Sequence, residues 1–335
     1  CRMRWRSPCP SPWPRPCSWH HYSGTEPGPS RGGGDPYRDP PMTAVVILAY
    51  AVGAAGGAIA SRSTRIASTW RVIIRGQIVL VSVMVSILAA WRLEGFDDLV
   101  WPLLGGLFSI LVVACAWFVT PPGPDRPGRA VLRGWSASAN GGFWVIPIAT
   151  AIAGAPGAVF AVLADRVFIT IFAVFTWILR RHAPRPQRMR TSWIDQAPLI
   201  ALLVGFALNI TVATPDWTAT ALMWSAPLMA LAGAGVFVGS VLHPSQRIPW
   251  RPGVPAWAFL SAVRISLFLP AALLAPSKPI AVAFALFALT IPAFFPPQLS
   301  ILYGYSDSVV AAAARWGWIF ALPGIAVAAA LWWAH

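Results

Sequence analysis

"SASANGGFWVIPIATAIAG", residues 136–154, decides how the chain is read. It lies among long apolar segments, yet it opens with Asn140, Gly141 and Gly142 and carries Pro147 a few residues later. A helix crossing lipid has to satisfy its backbone groups within itself, so irregular backbone at membrane depth needs protein or water around it. The interruption therefore marks a polar spot where lipid would forbid one.

Composition sets the class around that stretch. Hydrophobic residues make up 57% of the 335, charged residues only 11%, and the mean hydropathy is positive. These values are far from those of a soluble domain and predict an integral membrane protein. The formal charge of +14 raises nucleic acid as a partner, but its distribution excludes it. Lys278 is the single lysine, and the arginines flank apolar segments, as the bias of Lys and Arg towards cytoplasmic loops requires.

Residues 1–41 differ from the rest: they are dense in Pro, Gly, Ser and Arg, with no apolar run able to pack, and are expected to be disordered. Met42, directly before an apolar segment, is the first convincing start, and the preceding leader reads as a fragment or an overextended reading frame. Cys1, Cys9 and Cys17 with His20 and His21 match no zinc-site spacing. Cys115 reads as a small packing residue.

Apolar runs of the length that spans a bilayer fall near 43–60, 72–91, 99–119, 135–155, 157–179, 193–212, 218–242, 256–275, 280–302 and 309–333. Arginines cluster after the first, third, fifth and seventh runs, whereas "RLEGFDD", "GAPG", "TPDW" and "APSKP" between the others are acidic or nearly neutral. These loops predict cytoplasmic odd-to-even connections, with both mature termini outside; "GYSDS" after the ninth run has no base and departs from the pattern. Several tryptophans near run ends, among them Trp91, Trp217, Trp257 and Trp332, read as interfacial anchors.

Runs one to five match runs six to ten in order, giving repeats at 42–179 and 193–335 joined by a basic cytoplasmic loop at 180–192. An odd number of spans per half turns the second half upside down, the inverted repeat of many secondary transporters. Pro147 in the fourth run corresponds to Pro292 in the ninth, and Arg166 in the fifth to Arg315 in the tenth. Interrupted helices in corresponding positions of two such halves point to a substrate site. The expected crossover residues are Asn140, Gly141, Gly142, Pro147, Pro292 and Gln298. A proline kink without a site is the plainer alternative.

Two stretches carry a family resemblance. "SANGGFWVIPIATAIAGAPGAVFAVLADRV" and "LTIPAFFPPQLSILYGYSDSVVAAA" resemble the fourth-to-fifth and ninth-helix regions of the auxin efflux carrier family. The matches are Asn140, Gly142, Phe143, Pro147, Gly154 or Gly157 and Asp165 in the first, and Pro292, Ala293, Tyr303 and Asp307 in the second. Trp144, Val145, Gly141 and the Pro296–Pro297 pair depart from the usual pattern. The resemblance implies ten helices in a five-plus-five inverted repeat, with helices four and nine crossing at broken centres as in the bile acid sodium symporter fold. It also implies transport of small organic anions across the cell membrane.

Ionisable residues at membrane depth are functional candidates by default: Asp165, Arg166, Arg264 and Arg315. Adjacent helical residues project about 100° apart, so Asp165 and Arg166 are expected to find partners on neighbouring spans rather than each other. Asp165 then serves as a proton or cation site with Arg264 binding a carboxylate, or else forms a structural ion pair with Arg264 or Arg315. Asn140 is the strongest candidate for substrate contact, offering donor and acceptor together, with Asn209 as a weaker one. Ser138, Thr150 and Thr290 either meet a ligand or bond their own helices.

No metalloprotease, serine-hydrolase or Walker pattern is present, and no enzyme, cofactor or metal is expected. The expected partners are the lipid bilayer, a small organic anion and, if flux is coupled, H+ or Na+; a homodimer is compatible. A sensor or scaffold without transport, or a channel, is the alternative.

Overall fold

The computed structural model describes residues 42–62, 76, 80–119, 137, 139–182, 197–241, 254–290 and 321–334. They belong to a single compact unit spanning Pro40–His335. The leader, the basic loop at 183–192, Ser138, Pro292, Gln298, Tyr303, Asp307 and Arg315 lie outside the described residues.

Among the described residues the secondary structure is helical, without strands. The helices are α1 (Met42–Ala60), α2 (Leu80–Trp91), α3 (Val100–Phe118), α4 (Ile146–His182), α5 (Ala197–Thr211), α6 (Trp217–Val241), α7 (Val254–Leu273), α8 (Lys278–Ala288) and α9 (Ala321–Ala334). A 3-10 turn (Phe96–Leu99) leads into α3 and a π-type turn (Gly141–Val145) into α4. By length and composition four described segments are long and apolar enough to cross a bilayer: Met42–Ala60, Gly141–Arg166, Trp217–Gly239 and Pro255–Leu273, the second of them folded back at Gly154. Five further apolar helices are shorter.

The connection expected at "GAPG" is a tight reversal of the chain. The fourth and fifth runs meet at Gly154, where φ is +64°, and the arms of α4 on either side fold back on each other: a Cβ on Gly157 would lie 2.6 Å from the Ala149 carbonyl oxygen. Only glycine takes that backbone without steric cost, and Pro156 follows within the first turn of the resumed helix, where its missing N–H is tolerated.

α8 has 11 residues, a rise of about 16 Å, or half of a ~30 Å hydrocarbon core. Every residue from Ala281 to Ala288 is buried, as expected of a helix apolar on all sides. The stretch from Gly141 to Thr150 is similarly enclosed, apart from Gly142. These two short elements are therefore central, whereas α1 and α5 expose Ile47, Leu48, Val52, Leu203 and Ile210, the side chains that face lipid in a bilayer. Phe284 of α8 anchors the centre, with the rings of Phe160, Phe268 and Trp101 at 5.2, 5.7 and 6.0 Å.

Two helix contacts depend on missing side chains. A Cβ on Gly53 would strike the Leu231 carbonyl of α6, and one on Gly57 the Gly235 carbonyl. A Cβ on Gly205 of α5 would lie 2.5 Å from the Ile87 carbonyl oxygen of α2. Close backbone approach over small residues is how helices associate where lipid removes the hydrophobic driving force. The residue numbers of both partners differ by 148 between these contacts: Gly57 on Gly235 becomes Gly205 on Ile87.

The ends of α2 and α5 meet, so "RLEGFDD" and "TPDW" share one face. Asn209 donates to the carbonyls of Trp91 and Leu93, both at 2.7 Å, and Trp91 Nε1 donates to the Val212 carbonyl at 3.0 Å. Of the expected anchors, Trp91 and Trp217 pack edge to face at 6.2 Å. Trp257 is instead buried at 6% exposure, packed inside the bundle rather than at its boundary.

Candidate functional site

The site is built from the backbone outward. Asn140 leaves the helical region with φ −87° and ψ 65°, and its carbonyl accepts N–H bonds from Trp144 and Val145, both at 3.1 Å. The second is a π-type bond, a local widening that concentrates at functional positions.

Pro147 does not make this break. It lies in the first turn of α4, so the irregularity precedes it. Its consequence is indirect: without a Pro147 N–H, the carbonyl four residues earlier lacks its helical donor. That carbonyl belongs to Phe143, and the Tyr50 hydroxyl of α1 donates to it at 2.8 Å.

The second interruption meets the first. α8 stops at Ala288, two residues before Thr290 and four before Pro292, where the chain is already biased away from helix. The Asn140 N–H donates to Thr290 Oγ1 at 3.2 Å, across 150 residues of sequence. Asn140 is 2% exposed, and its side-chain Nδ2 has no hydrogen-bond partner among the described residues.

The charged groups flank this junction. Asp165 presses against Gly141, where a Cβ would overlap its carboxylate, with Cγ only 2.6 Å away. Asp165 Oδ2 accepts from Arg166 Nη1 at 3.0 Å, a buried ion pair between neighbours in sequence. The expectation that these two would not pair is thus corrected. A 100° separation constrains the Cβ directions, but a long guanidinium stem can curl back when burial offers it a single carboxylate. Arg166 also reaches across, donating through Nε to Ser86 Oγ of α2 at 2.8 Å. Its Nη2 has no hydrogen-bond partner among the described residues.

Arg264, 2% exposed, donates from Nη2 to the Ala137 carbonyl at 3.0 Å. It therefore holds the chain on the other side of Asn140. The carboxylate of Asp165 takes Arg166, not Arg264, as its ion-pair partner.

Other candidates are structural. Thr150 Oγ1 bonds the Ile146 carbonyl of its own helix at 2.6 Å, and Asn209 ties off the end of α2. A polar surface cleft of about 570 Å³ beside Asn209 is lined by Arg92, Glu94, Thr214 and Asp216; Arg92 and Thr214 already bond there, to Thr218 and Trp91. Sequence reasoning missed Tyr50 and Ser86, which bind the break and the ion pair. The signal for Tyr50 was available in principle, since Pro147 announces an unserved carbonyl four residues earlier; Ser86 had none.

The chain matches no protein-family model and no curated protein.

Proposed function

We propose that the protein is a secondary transporter of a small organic anion, working by alternating access around the junction of Asn140 and Thr290. The observation that carries this reading is the meeting of two interrupted elements inside the bundle. One of them presents a buried amide nitrogen with no partner among the described residues, next to the Asp165–Arg166 pair. Half-helix ends at mid-membrane offer N–H groups, carbonyls and dipole ends to a ligand, which a continuous helix cannot.

The repeat offset supports an inverted-repeat architecture of ten spans. Gly57 on Gly235 and Gly205 on Ile87 share one offset in both partners, as contacts exchanged by a pseudo-two-fold operation would. The resemblance to the auxin efflux carrier family points the same way and suggests a carboxylate or auxin-like acid. Both mature termini then lie outside the cell membrane. In this reading Asn140 contacts the substrate, while Asp165 and Arg166 carry the intramembrane charge. Outward movement of an anion is helped by an inside-negative potential worth about 2.3 kcal/mol per charge per 100 mV, so H+ or Na+ coupling is not required.

The test is electrogenic current in proteoliposomes, on a panel of carboxylates and auxin-like acids, with Asn140→Ala beside the parent. The expected result is saturable current for one acid that Asn140→Ala abolishes while the protein stays folded. Absence of both current and radiolabelled uptake for every acid, with and without proton and sodium gradients, overturns the reading in favour of a sensor or scaffold.

A further inference from the structure

From Ala139 to Thr150 every residue is buried except Gly142, which is partly exposed. Its surroundings differ from those of the glycine beside it. The Gly141 position is blocked by Asp165, whereas a Cβ on Gly142 would find Met229 Cε of α6 at 3.9 Å, an ordinary contact. One turn along α6, Gly233 lets the Phe143 backbone close in, with Phe143 Cβ 2.6 Å from where a Gly233 Cβ would stand. The α6 face therefore closes over Phe143 and leaves space over Gly142.

That space has a definite medium. Unwound backbone is not exposed to lipid in the hydrocarbon core, because each unsatisfied group costs several kcal/mol there; it is tolerated against protein or lining a water-filled cavity. Gly142 lies inside the π-type turn, where that rule favours water over lipid on its accessible side.

Resting on the transport reading above, we infer that the bare backbone of Gly142 is the floor of a water-filled ligand chamber at the break, and that Gly142 with Met229 sets the size of the ligand admitted. A ligand oxygen accepting from the Asn140 amide, two residues away, brings the remainder of the molecule over this floor. The absence of a side chain at 142 is a specificity determinant, whereas its absence at 141 makes room for Asp165.

The test uses the full chain with Cys1, Cys9, Cys17 and Cys115 replaced by serine, carrying either Gly142→Cys or Ala149→Cys; Ala149 is fully buried. Reconstituted protein is treated with a charged methanethiosulfonate, and the cysteine at 142 is expected to react at least tenfold faster than the one at 149. In parallel, Gly142→Val is assayed for transport of straight-chain carboxylates of increasing length. Its KM is expected to rise severalfold for the longest acid and little for the shortest, with Met229→Ala restoring the longest in the double variant. Thermal unfolding in detergent verifies that each variant folds. Equal reactivity at 142 and 149, or an unchanged length profile in a transporting Gly142→Val protein, overturns the inference and leaves the transport reading intact. Fast labelling at 142 in a chain that carries no acid upholds the chamber and removes the anion reading instead.

Discussion

In the seam between α1 and α6, Gly53 and Gly57 let two regular helices bring their backbones together, whereas at 141–145 Gly141 and Gly142 let one helix stop being regular. What lies beyond the missing side chain differs accordingly. In the seam it is another backbone, Leu231 and Gly235, and the benefit is close packing. At the turn it is a buried carboxylate on one glycine and accessible space beside Met229 on the next. Small residues at membrane depth thus have two uses, tight association and room for chemistry, and they are told apart by the neighbour rather than by the residue.

The largest expected effect breaks the polar side of this comparison. Asp165→Ala leaves the Arg166 guanidinium buried without its carboxylate, and losing one partner of a buried pair costs about 3–5 kcal/mol. Thermal unfolding in detergent should fall steeply, with partial recovery in Asp165→Ala/Arg166→Leu, where the orphaned charge is gone. No recovery would mean that the pair is not the source of the loss.

Next in size is the seam. Gly57→Ala and Gly205→Ala each force a methyl into a facing backbone, an overpacking cost of about 1–3 kcal/mol. Because the two contacts share one offset, the losses should be similar. A large loss at 57 with none at 205 would break the repeat correspondence.

The two asparagines sharpen the contrast between structure and site. Asn209→Ala removes two bonds to carbonyls at the end of α2, about 0.6 kcal/mol each by membrane-protein averages, and should leave transport unchanged. Asn140→Ala removes an amide nitrogen with no partner among the described residues while its backbone bond to Thr290 persists. Its stability should shift by less than about 1 kcal/mol while saturable current is lost. Reversal of the two phenotypes would exchange their roles. The smallest change is Thr150→Val, whose hydroxyl serves its own helix; a melting shift of a degree or less is expected, with transport unaltered.

Much of the helix layout was legible in the sequence. The run at 43–60 became Met42–Ala60 and that at 218–242 became Trp217–Val241, because a bilayer of fixed thickness demands apolar runs of fixed length. Asn140 and the two glycines marked the break for a similar reason. Pro147 misled on detail: it was read as part of the interruption, yet it starts the regular helix. "GAPG" was legible, since a glycine free to take positive φ with a proline two residues on marks a reversal, and the chain doubles back at Gly154.

The sequence by itself determined that this is a helical membrane protein, where most of its helices lie and that one of them is interrupted, since apolar length and backbone freedom are written residue by residue. Tertiary structure alone decided that Arg166 turns back to Asp165, that Tyr50 serves the Phe143 carbonyl and that Asn140 meets Thr290. In a soluble helix a polar stripe separates the outer face from the inner one. In a bilayer lipid and protein interior are about equally apolar, so little in the sequence says which face turns inward, and partners appear only once the helices are packed.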